Sequence, residues 1–181
     1  MTSTEAAANA LQDHAALWSM GDVRASDVVS AACDALVAGL DSPGLRILAA
    51  LTRAEADYDV HELLPEALEG LGLTFYPVDS ETGAEPAVRA LARRMLAAEL
   101  TPRQFTFRIR HRHGHELALT AELADLDDEY DTLEYGDKTT AQIDAEVRVE
   151  ARRLAAGSPA PTEPTGTPNS HGGELGRRGL G

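Results

Sequence analysis

Apolar residues return every three or four positions through most of residues 1–157, and residues that cap helices stand in front of almost every such run. That period is the helical one, so buried surface in this chain has to be made by helix faces. The clearest case is Val88, Leu91, Ala92, Met95 and Leu96, preceded by Thr82 and Glu85 at capping-box spacing. Earlier, Ala7, Leu11, Ala15 and Trp18 share a face that Gly21 can close. Ser26 precedes a stripe of Val28, Val29, Ala32, Leu36 and Val37 that ends at Gly39. Ser42 and Pro43 read as cap and first turn of a third helix burying Leu45, Leu48 and Leu51. Asp59 with Glu62 predicts a fourth helix to about Gly70, kinked at Pro65 and turning Leu64, Leu68 and Leu71 inward. Thr139 and Gln142 open the last one, with Ile143, Val147, Ala151 and Leu154 at helical spacing.

Residues 101–114 carry two conflicting patterns. Phe105, Phe107 and Ile109 alternate with Thr106, Arg108 and Arg110 as in a half-buried strand. Thr101, Pro102 and Gln104 are instead cap, first-turn proline and capping-box partner. No other segment offers a strand to pair with, and an isolated strand is marginal in water, which decides for helix. Leu119, Leu123 and Leu126 then predict a further helix. The expected fold is therefore all-α: a compact bundle of six or seven short helices in a domain spanning 1–157. Residues 158–181, rich in Pro, Gly, Ser and Thr with hardly any large apolar side chain, are expected to form a disordered tail.

Charge is distributed far less evenly than hydropathy. Arg103, Arg108, Arg110 and Arg112, with His111, His113 and His115, form a stretch without an acid; from Glu116 to Glu150 twelve carboxylates then face only Lys138 and Arg148. The formal net charge of −14 falls entirely on residues 1–157. A body of that sign repels phosphate backbones and anionic lipid, so nucleic acid and membrane are disfavoured and a basic protein partner is favoured. No apolar run approaches the roughly 20 residues a spanning helix needs. One cysteine, Cys33, excludes an internal disulfide, and the first twenty residues lack a secretory pattern, so cytoplasmic residence is expected. Cys33 lies between Ala32 and Leu36, which predicts a core thiol.

Three constellations have chemical potential. His111, His113, His115 and Glu116 are residue types that bind zinc, nickel or iron, but match no standard ligand spacing, and Gly114 interrupts the helix that would align His111 with His115. The acids from Asp125 to Asp131 fail the calcium-loop register, because Tyr130 and Gly136 stand where that loop needs Gly and Glu. As a protein-binding face, Asp125, Asp127, Asp128, Glu129, Tyr130, Asp131 and Glu134 combine acidic and aromatic groups as interfaces do. No phosphate loop, serine elbow or dinucleotide fingerprint is present, and no catalytic residue or cofactor is expected.

Gly114-His115-Glu116 followed by Leu126-Asp127-Asp128-Glu129-Tyr130-Asp131 resembles uncharacterised acidic helical proteins of GC-rich bacteria over residues 12–156. The resemblance implies no activity, although some small acidic helical proteins of this style are immunity proteins or antitoxins. The leading expectation is a non-enzymatic interaction module that engages a basic partner through the acidic face, with self-association left open. The alternatives are a metal-dependent enzyme or metal sensor built on His111, His113, His115 and Glu116, and a helix-turn-helix DNA-binding regulator reading through Arg103 to Arg112.

Overall fold

The computed structural model describes residues 2–157; the tail expected at 158–181 lies outside the described residues. Within them the chain is all-helical, with eight α-helices where six or seven were expected. These are α1 (Ser3–Ser19), α2 (Ala25–Val37), α3 (Pro43–Ala49), α4 (Arg53–Glu69), α5 (Glu81–Leu96), α6 (Pro102–His113), α7 (Ala121–Asp131) and α8 (Thr140–Ala155). A 3-10 turn, Ala118–Thr120, leads into α7.

Most starts follow the sequence signals. Ser42, Thr101 and Thr139 accept hydrogen bonds from the backbone N–H groups of Leu45, Gln104 and Gln142, and the last two complete reciprocal boxes. Four expectations need correction. The second helix is capped at Arg24, where Asp27 closes back on the Arg24 N–H, so Ser26 is already inside it. The fourth helix begins at Arg53 under a Thr52–Glu55 box, six residues before Asp59. Its inner stripe starts with the small residues Ala56 and Val60, a weak apolar signal that the Asp59–Glu62 pair outcompetes on paper. The fifth starts behind Ser80 rather than Thr82, and no side chain caps it. Leu119 belongs to the 3-10 turn and not to α7.

The conflict over 101–114 resolves through burial. On a strand Phe105, Phe107 and Ile109 would share a face. On α6, Phe105 and Ile109 are fully buried and Phe107 is 56% exposed, the split that i and i+4 against i+2 produces on a helix.

Two apolar clusters share α1. Leu11 and Ala15 join α2, α3 and α4 around Val28, Leu45, Leu48, Val60, Leu64 and Leu68. Ala16, Leu17 and Met20 join α5 to α8 around Val88, Leu91, Phe105, Ile109, Leu123, Ile143 and Leu154. Polar clamps hold the chain against α1: the Gln12 amide donates to the Thr74 carbonyl and accepts from the Thr74 N–H, both at 2.7 Å, and Arg93 pairs with Asp13. Gly21, with φ +74°, closes α1 as expected. Cys33 is not a core residue; it is exposed on α2, where Sγ lies 3.3 Å from the Ala49 carbonyl oxygen.

Candidate functional site

The acidic segment folds back on the basic one, because Gly114 ends α6 with φ +54° and the following turn returns α7 along it. Arg103 spans the acids of two turns, reaching Asp127 Oδ1 at 3.3 Å and its carbonyl at 3.1 Å, and pairing with Asp131. Arg110 reaches Asp128 at 3.0 Å. The Arg103 guanidinium also lies 5.0 Å from the centre of the Tyr130 ring, within cation–π range. Lys138 closes the other side, bonding Glu129 at 2.8 Å and Glu146 at 2.7 Å, which raises its pKa.

These contacts divide the seven residues expected to form one partner-binding face. Asp127 and Tyr130 are buried, at 3% and 7% exposure, and point into the helix packing. Asp127 is held there by Thr106, while the Tyr130 hydroxyl donates to Asp144 at 2.5 Å. Burial, then that acceptor, raises the phenol pKa, so the hydroxyl keeps its proton. Asp128, Glu129 and Asp131 reach solvent but are already paired with cations. Asp125 and Glu134 are exposed, and neither is within salt-bridge distance of an arginine or lysine among the described residues.

The expected metal set is likewise dispersed. His111 stacks on Phe107 with centroids 5.9 Å apart, on the outer face of α6. His113 is partly buried, and desolvation followed by the Arg112 charge lowers its pKa. His115 leaves both to meet Asp125 and Asp128 across the turn, and Glu116 joins none of them. His115 Nδ1 lies 3.9 Å from Asp125 and Nε2 lies 4.0 Å from Asp128, so the two carboxylates face different ring nitrogens. One imidazole nitrogen can bind one metal, and Nε2 already sits 2.6 Å from the Arg110 guanidinium. A guanidinium only donates, so Nε2 is the acceptor and the ring proton belongs on Nδ1. Arg110 therefore supplies locally the positive charge that a cation would bring.

The basic stretch is equally engaged. Arg103 and Arg110 hold α7, and Arg112 holds Asp79 at 2.8 Å. Arg108 has no hydrogen-bond or salt-bridge partner among the described residues; it lies near the partly buried Asp22, whose pKa is raised by desolvation against the opposing charges of Arg112, Arg108 and Arg94.

A second group of carboxylates without a salt-bridging arginine or lysine lies on α4, which the sequence did not single out. Glu55, Glu62, Glu66 and Glu69 are exposed along its outer side, with Tyr58 among them at 76% exposure; Asp57 is exposed too, at the N-terminal end of the face that carries Leu64 and Leu68. Glu55 closes the Thr52 box, and among the described residues His61 is the one ionisable nitrogen within 4 Å of any of them, 3.6 Å from Glu62. Folding brings cations to Asp127, Asp128, Glu129, Asp131, Asp144, Glu146 and Glu150 and leaves the remaining acids of 116–150 spread over several elements, whereas those of α4 share one helix. No helix among the described residues is long and apolar enough to cross a membrane. No family model, curated protein or solved structure matches the chain.

Proposed function

We propose that this chain is a non-enzymatic interaction module that engages a basic protein partner, in the manner of an immunity or antitoxin-like protein. One observation carries this most directly: the outer side of α4 presents four exposed carboxylates and an exposed tyrosine, with Asp57 exposed beside them, and no arginine or lysine lies within salt-bridge distance among the described residues. Charge that folding leaves uncompensated is charge available to a partner, and an aromatic ring amid it can supply desolvated contact area. The α7 acids are less suited, because a partner's cation would first have to displace Arg103, Arg110 or Lys138. Acidic side chains on α4 would then stand in for the anionic ligand a basic partner expects.

The test uses the full chain as bait in extract from its native host, beside D57N/E62Q/E66Q/E69Q and, separately, D125N/E134Q. Glu55 is left intact because it closes the α4 box. Retention of a basic protein by the parent chain, its release by raised salt and its loss from the α4 variant support the proposal. Equal capture by the parent chain and the α4 variant overturns it.

A further inference from the structure

Away from α4, the 3-10 turn and the start of α7 meet α8 along a cleft of about 570 Å³, within the size range of small-ligand and peptide sites. Its apolar wall includes Ala118, Leu119, Ala145 and Val149. Val149 is 63% exposed, one turn from the exposed Ala145, so α8 turns an apolar strip outward. Arg153 lines one end. Its Nε and Nη2 are used by Glu150, and Nη2 also reaches the Leu119 carbonyl at 3.2 Å, but Nη1 is buried and meets no acceptor of the described protein. Glu122 stands at the rim, exposed and in no salt bridge among the described residues although it acts through space on Arg153, and Glu146 lies opposite, bridged to Lys138.

We infer that this cleft is a docking site for a short segment of another protein, in which an apolar side chain is flanked by an arginine or lysine. The apolar side chain would rest on Val149 and Ala145, and the segment's cation would meet Glu122. Charge selects this occupant: of the three glutamates that line the cleft, Glu150 is committed to Arg153 and Glu146 to Lys138, and Glu122 is left without a salt bridge among the described residues. The inference goes beyond the α4 proposal and does not depend on it, since the two surfaces share no residue.

The probe is an acetylated, amidated tetrapeptide Arg-Leu-Ala-Arg titrated into the full-length protein while methyl and arginine side-chain NMR signals are followed. Saturable shifts at Ala118, Ala145, Val149 and Arg153, weakened at least tenfold by Glu122→Lys and by Val149→Ser in chains with parental circular dichroism, support the site. The D57N/E62Q/E66Q/E69Q chain should respond like the parent, so the α4 proposal and this one fail separately. Three results would overturn it: no saturable shift at low-millimolar peptide, an equal response to Glu-Leu-Ala-Glu, or shifts mapping to α4. A fourth is a change in the cleft signals of the peptide-free chain on replacing Arg177 and Arg178 by alanine, which would make the chain's own terminus the occupant.

Discussion

Thr106 Oγ1 donates a 2.8 Å hydrogen bond to Asp127 Oδ1, joining α6 to α7 between two side chains that are 0% and 3% exposed. The same carboxylate oxygen lies 3.3 Å from Arg103, so a buried anion has both a neutral and a charged donor. The acid most central to the acidic segment is thus a packing residue.

Asp127→Ala should therefore destabilise the fold by roughly 1–3 kcal/mol, since it leaves the Thr106 hydroxyl only the Arg103 carbonyl and leaves Arg103 only Asp131 and a carbonyl. Thr106→Val should cost less, and the double variant less than the sum of the two. Urea unfolding of all four chains measures this coupling; strictly additive losses would refute it.

Gly44 should resist replacement even by alanine. A Cβ there would come within 2.9 Å of the Ala67 Cα and N, and backbone cannot swing aside as a side-chain tip can. The α3–α4 contact would have to open, at a cost of roughly 1–3 kcal/mol. A matching drop in thermal midpoint checks it, with Gly39→Ala as a comparison where the new Cβ meets nothing and only its φ of +92° is strained.

Asp22 sets a pH dependence of known sign. Burial raises its carboxyl pKa above the ordinary value, so the folded state binds this proton more readily than the unfolded chain does. The charged form then costs stability near neutral pH, and the cost disappears as pH falls through the raised value. Asp22→Asn should raise the melting temperature at about pH 7 and lose that advantage at about pH 3, below both the folded and the unfolded value. Melting curves at the two pH values decide it; a larger advantage in acid contradicts the argument.

Cys33, exposed on α2, should take one equivalent of maleimide in the native protein without loss of helical signal. Mass spectrometry with circular dichroism on the labelled chain checks this. Modification that required denaturant would place the thiol in the core after all.

Helical period and caps carried most of the fold in the sequence, because Ser42, Thr101 and Thr139 act through bonds only three residues long. The errors came where a local pattern had a distant competitor. Asp59 and Glu62 satisfy a capping box, yet Ala56 and Val60 pack against α2 and α3 and extend the helix past them. Ala32 and Leu36 suggest an internal thiol, but the buried face of α2 runs through Ala32 and Ala35 and leaves Cys33 exposed and Leu36 half-buried. The charge inversion at Gly114 was visible; that Arg103 and Arg110 cancel part of it was a tertiary fact. Gly44 carried no signal of its own, since its partner Ala67 is on another helix.

Because Leu11 and Ala15 complete one cluster while Leu17 and Met20 complete the other, α1 is the hinge pin of the molecule's cooperativity. Neither half can shed it and keep its own interior dry, so amide protons at the middle of α1 should be among the last to exchange. Seventeen residues at the front of the chain make the two halves a single unfolding unit.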